Sequence, residues 1–176
     1  MTSFFLAVVP PEALGARIEA FRTRWGNPHH KVEPHITIKA PFPWTAEPEA
    51  LLAPLGAVCS TMAPFEVRLG PSSRFAEARV LYLTVHSPAL HQLHTGAVGA
   101  LTGLVPVGGH EGEHYTPHLT LAVGRFGISP EGLDHMEREA AIELGGLPAF
   151  PVTALRCYRR AKAEERWQPM VDLPLG

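Results

Sequence analysis

Cysteine is scarce in this 176-residue chain: Cys59 and Cys157 are its two thiols. Two are too few for a disulfide framework, and a reducing, cytoplasmic setting is the expectation. Long apolar runs are missing as well. The opening "SFFLAVVP" has no basic stretch before it and stops at Pro10-Pro11, so neither a signal peptide nor a membrane span is expected. Charge of one sign is also lacking. The formal net charge is −2, which supplies no basic field for double-stranded DNA but leaves a small or locally bound anionic ligand open. What is present is globular composition, 45% apolar and 18% charged. The length suits a single, monomeric two-lobed domain over 1–176.

The order of elements repeats. Residues 3–10 predict a buried strand, 11–26 a helix, 32–39 a strand, 47–62 a helix with Pro54 inside it, and 64–70 a half-buried strand. The second half runs strand 79–86, helix 87–104, strand 115–123, helix 129–146 and closing strands 150–161 and 166–175. Ser129-Pro130 opens the last helix and Gly145-Gly146 closes it. The stretch 71–78 reads as a loop, and 105–114, with Gly108, Gly109 and Gly112, has the composition of a lid or a loose connection. Each half, roughly 1–75 and 76–176, is thus a βαβαβ unit. The fold class expected is α+β, with pseudo-symmetric halves and antiparallel sheets lining a central cleft.

The repeat carries a motif. "PHITI" at 34–38 returns as "PHLTL" at 117–121, so His35 and Thr37 are answered by His118 and Thr120. On a strand, residues two apart share a face at roughly 6.5–7 Å, and the aliphatic residues between them face the other way. An imidazole and a hydroxyl so spaced can hold one tetrahedral anion. Two such pairs facing one cleft give two imidazoles, of which one can act as base while the other is an acid at neutral pH. Cleavage of a phosphodiester needs that pairing, one group activating the attacking oxygen and the other protonating the leaving oxygen. The threonine hydroxyls would steady the non-bridging oxygens. The scheme needs no metal or other cofactor.

In these residues the chain resembles the 2H phosphoesterase superfamily, the 2′-5′ RNA ligase-like and cyclic phosphodiesterase proteins with two H-x-T/S-x motifs. The resemblance spans the whole chain, from the opening strand and helix to the last strand ending "DLPLG". It implies a bilobal fold and hydrolysis of 2′,3′-cyclic phosphates of nucleotides or RNA 3′ ends to 2′-phosphates. It also implies, in some members, reversible 2′-5′ joining of RNA ends. By the same resemblance His35 would be the general acid, His118 the base, and Thr37 and Thr120 the phosphate holders. The pattern departs at Val123, where ligase-like members often carry an arginine. The nearest here is Arg125, which strict alternation turns away from the cleft unless Gly124 bends the strand.

Further candidates for substrate binding flank the motifs. Lys39 continues the parity of 35 and 37 and is expected to reach a phosphate, while its counterpart in the second motif is Ala122. Phe42, Trp44, Phe75, Tyr115 and Phe126 are positioned to stack a base or to pack the core, and Arg74 and Tyr115 stand out among the residues nearby. His29, His30, Glu33 and His35 raise a metal-binding alternative that no helical His-x-x-x-His supports. His91 and His94, one helical turn apart, read as surface or boundary residues. The basic stretch "CYRRAKAEER" (157–166) reads as a hairpin tip, with Trp167 as a packing anchor. A non-catalytic module that binds RNA ends or a phosphorylated metabolite is the alternative function.

Overall fold

A computed structural model describes residues 2–25, 32–75, 77–124 and 127–176. Its first half contains β1 (Ser3–Val8), α1 (Glu12–Arg24), β2 (Ile36–Pro43), α2 (Pro48–Ser60), β3 (Phe65–Val67) and β4 (Leu69–Phe75). The second contains β5 (Val80–Val85), α3 (Pro88–Ala100), β6 (His118–Val123), α4 (Pro130–Glu143), β7 (Phe150–Val152), β8 (Ala154–Arg160) and β9 (Gln168–Pro174). A 3-10 turn at Gly112–His114 precedes β6. Local chemistry sets several boundaries. The Ser87 and Ser129 hydroxyls accept from the amides of Leu90 and Gly132, and Pro88 and Pro130 occupy the first turns of their helices. The helix α2 runs through Pro54.

Seven strands form one antiparallel sheet in the order β4-β5-β6-β2-β1-β8-β9, and β3 pairs with β7 in a small second sheet. The stretch after residue 70, read as a loop, is instead most of β4. As an edge strand it tolerates Pro71 and shows little apolar alternation, which is why its sequence resembled a turn. The predicted strand 150–161 is split into β7 and β8, which join different sheets.

The two halves are exchanged rather than side by side. The strand β4 pairs with β5 of the second half, and β8 pairs with β1 of the first. Behind the sheet, α1 packs on β6 while α3 packs on β2, so each half's first helix covers the other half's motif strand. The core between helices and sheet includes Ile36, Ile38, Leu119 and Leu121, all fully buried, with Leu14, Ile18 and Phe21 of α1 and Leu90, Leu93 and Ala97 of α3. At roughly 25 cal/mol per Å² of apolar surface, burying these side chains is the main term holding the motif strands flat against the helices.

Candidate active site

The lobes meet where β2 runs antiparallel to β6. Among the described residues that ladder consists of the pair Ile36–Leu119. Because opposite residues share a face, moving one step either way sets His35 across from Thr120 and Thr37 across from His118. Ile36 and Leu119 point to the core at 0% exposure, and the four polar residues are half-buried on the other face. From the strand spacings, the two histidine Cβ atoms lie diagonally about 8 Å apart, with the two threonines on the other diagonal. One tetrahedral anion fits between four such corners.

Both imidazoles are held in the same way. His35 Nδ1 lies 2.8 Å from the Glu33 carbonyl oxygen, and His118 Nδ1 lies 2.7 Å from that of Thr116. A carbonyl oxygen only accepts, so each Nδ1 carries the proton and each Nε2 is left for other partners. The shared proline explains the recurrence: Pro34 and Pro117 hold the residue before them extended, which aims its carbonyl at the imidazole two positions on. Each ring also rests on a stacked aromatic pair. Phe5 lies 5.2 Å from His35 and stacks on Tyr158 at 4.5 Å; Phe75 and Tyr82 lie 5.0 and 5.3 Å from His118 and stack at 4.2 Å. Burial lowers the His118 pKa, with a smaller push from His110, against the opposing hydrogen bond to Thr116. The lowered pKa favours the neutral ring at pH 7.

Lys39 does not reach into this space. Between Ala7↔Thr37 and Leu6↔Lys39 the ladder skips a residue, a bulge that turns Ile38 and Lys39 both inward. A matching irregularity between Tyr82↔Thr120 and Leu81↔Ala122 turns Leu121 and Ala122 inward too. Strict alternation therefore misassigned Lys39, which is 2% exposed and pairs with Glu111 at 2.7 Å. Burial alone would raise the Glu111 carboxyl, but the Lys39 ammonium and the amides of Gly108 and Ala40 outweigh it and hold its pKa below the usual range. The glycine-rich segment 105–114 is thus pinned by Glu111, not a loose connection.

The other candidates fall in several settings. Phe42 is 2% exposed and stacks with Phe4 in the core, so it offers no face to a base. Arg74 stands opposite the buried Leu81, on the helix side of the sheet, and pairs with Asp134 and Glu137 of α4. Tyr115 donates its hydroxyl to the Thr37 carbonyl at 2.8 Å, and one face of its ring is covered by His94 at 3.8 Å. Trp44 packs against the core, and Phe75 stands beside His118. Arg125, Phe126, His29 and His30 lie outside the described residues. Of the other two residues of the metal alternative, the Glu33 carboxylate is taken up by the Tyr158 hydroxyl and Arg156, and His35 Nδ1 by the Glu33 carbonyl. No group of three metal-ligating side chains gathers among the described residues, and among them no helix is long and apolar enough to cross a membrane. Residues 161–165 form the hairpin tip, with Arg160 over the Trp167 ring at 4.2 Å.

Five contributors lie outside the candidates that the motifs suggest. His94 is 1% exposed, not a boundary residue, and Leu90, His94, Ala97 and Leu101 at helical spacing mark it as inward. Phe5 and Tyr158 supply the wall behind His35. Arg22, 1% exposed on α1, donates to the Val32 carbonyl at 2.8 Å and to the Thr120 carbonyl at 3.5 Å. No periodic signal marks Glu111, since its segment has no regular structure.

A family model described as the 2′-5′ RNA ligase superfamily matches residues 10–164. Among solved structures, LigT from E. coli complexed with phosphate is 17% identical, with 99% of this chain and 97% of that one covered and a TM-score of 0.66. The protein TT0787 of Thermus thermophilus is 19% identical over 98% and 97%, with a TM-score of 0.63. Usb1 of Kluyveromyces marxianus is 12% identical over 99% and 98%, with a TM-score of 0.53. A comparison by sequence with curated proteins gives no match.

Proposed function

Since the chain belongs to the 2′-5′ RNA ligase superfamily, we propose that it is a metal-independent phosphoesterase that opens 2′,3′-cyclic phosphates of nucleotides or RNA 3′ ends. The observation that carries this reading is the diagonal placement of two imidazoles, each with its Nδ1 proton spent on a backbone carbonyl. His118, kept neutral by burial, takes a proton from water through Nε2 as the water oxygen bonds to phosphorus. His35, entering as imidazolium, gives its Nε2 proton to the 3′-oxygen as the bond from phosphorus to that oxygen breaks. The product is a 2′-phosphate, and solvent exchange returns both rings to their starting charge. Thr37 and Thr120 donate to the non-bridging oxygens, where negative charge builds. With a 5′-hydroxyl in place of water, the same groups run 2′-5′ joining and its reversal. The nucleotide complexes known for E. coli LigT, with 3′-AMP, ATP and NADP+, accord with a nucleotide-sized ligand.

The test is a panel of 2′,3′-cyclic nucleotides, 2′-5′ and 3′-5′ dinucleotides and RNA with a cyclic end, with and without chelator. Turnover to 2′-phosphates, unchanged by chelator and lost in His35→Ala and His118→Ala, is expected. Equal turnover by the wild type and the double variant would sink the proposal, and loss in chelator would replace it with a metal-dependent one.

A further inference from the structure

The seam between the motifs is short of backbone hydrogen bonds, since the β2–β6 ladder holds the pair Ile36–Leu119. Side chains and one carbonyl from the second half supply what the ladder lacks. Four consecutive residues of β2 are each tied to the segment between α3 and β6 or to α3 itself. The Thr37 carbonyl accepts from Tyr115 Oη at 2.8 Å, and the Ile38 carbonyl accepts from His94 Nδ1 at 2.6 Å. Lys39 Nζ donates to both Glu111 oxygens, at 2.7 and 3.0 Å, and to the Pro106 carbonyl at 3.0 Å. The Ala40 amide donates to Glu111 Oε1 at 2.8 Å. The segment is also tied to itself, Gly108 N donating to Glu111 Oε2 at 2.7 Å, and to α3, Gly112 N donating to His94 Nε2 at 2.8 Å. It ends at Thr116, whose carbonyl fixes the His118 ring. One strap thus touches motif 1 along its length and then sets the tautomer in motif 2.

We infer that this strap, residues 106–116 with Glu111 and Tyr115 as its positioning residues, sets the distance and orientation of His118 relative to His35. The inference rests on the two-histidine reading above. An ion pair is a costly way to fill a core position, because both charges are desolvated, and the return we assign to this one is direction, one geometry fixed across the seam. Ala122, fully buried at the corresponding bulge of the second motif, shows that a small apolar residue fits this kind of position. The charge in the first motif therefore serves the seam rather than the bulge. Arg22 makes the reciprocal tie, from the first half to the Thr120 carbonyl. Lys39, Glu111 and Arg22 are buried, and Tyr115 spends its hydroxyl on a backbone carbonyl, so the strap acts through the motifs.

Two variants test it. Tyr115→Phe removes one oxygen and keeps the ring against His94; Lys39→Met/Glu111→Leu removes the charges together. Histidine ¹⁵N NMR then follows the titration and the Nδ1–H tautomer of His35 and His118, a readout that needs no substrate. Variants that melt cooperatively are expected to show shifted titrations and a mixed tautomer at His118. On any cyclic phosphate the wild type turns over, kcat should fall roughly ten- to a hundred-fold, as expected for misplacement on the order of 1 Å, with KM within about twofold. Folded variants with wild-type titrations and tautomers overturn the inference, whether or not the chain turns over a cyclic phosphate. If those signals move as expected but the wild type turns over no member of the panel, the strap stands and the proposed function falls.

Discussion

Replacing Lys39 with methionine keeps its length and removes its charge. In the wild type the ammonium is 2% exposed and shares its protons among both Glu111 oxygens and the Pro106 carbonyl. The variant leaves a carboxylate in the core with the Ala40 and Gly108 amides as its donors. Breaking one side of a buried pair costs about 3–5 kcal/mol. The entropy of unfolding near the melting point, roughly 2.1 cal/mol/K per residue, comes to about 0.37 kcal/mol/K over 176 residues. Lys39→Met should therefore lower Tm by about 8–14 °C. Glu111→Gln is expected to lose less, because its amide oxygen still accepts from Ala40 and from the ammonium. The combined Lys39→Met/Glu111→Gln protein, with no charge buried and an acceptor retained, should melt above Lys39→Met. A coupling energy of about 2 kcal/mol or more is expected from the double-mutant cycle. Calorimetry at pH 7 reads all four proteins. A Lys39→Met melting point within about 2 °C of wild type, or additive single losses, would refute the buried-pair account.

The other expectations concern the site and its surroundings. His35→Ala and His118→Ala should each lower kcat/KM on the active cyclic phosphate by about 10²–10⁴-fold at unchanged Tm, measured by single-turnover assay and calorimetry. Burial lowers the imidazole pKa of both His94 and His118, so below about 6.5 the unfolded chain binds more protons than the folded one. Stability is then fully present above that pH and declines as pH falls, and urea midpoints at pH 7 and pH 5 should show the drop. An equal midpoint would contradict it. Ala122→Lys puts an unpaired charge at an inward bulge position with no Glu111 opposite, and should cost more than about 3 kcal/mol in urea titration. A urea midpoint like the wild type's would mean that position 122 faces the cleft.

What could be read from the chain depended on regular ladders. His35, Thr37, His118 and Thr120 were legible because each motif alternates polar and aliphatic residues, and the structure puts Ile36 and Leu119 in the core as that alternation demands. The same rule failed one step later. The bulges after Thr37 and Thr120 are set by pairing with β1 and β5, which a single strand's sequence does not display, so Lys39 was carried to the wrong face. Arg74 and Phe42 were misplaced for a related reason: proximity to a motif says nothing about the face a residue takes. Edge position hid β4, whose "PSSRF" looked like a turn. Glu111 was invisible because its importance comes from partners 71 and 72 positions away in the chain.

The exchange of elements between the halves bears on how the chain can be divided. A cut between Phe75 and Val80, in the connection from β4 to β5, leaves a first fragment whose β2 has lost α3 and whose β1 edge has lost β8. The second fragment loses α1 from behind β6 and β4 from beside β5. Each piece then exposes Ile36 and Ile38, or Leu119 and Leu121, to water until the other arrives. Such fragments have reason to find one another and little reason to fold alone. Turnover restored on mixing them would serve as a reporter of their association, because neither carries more than one of the two histidines.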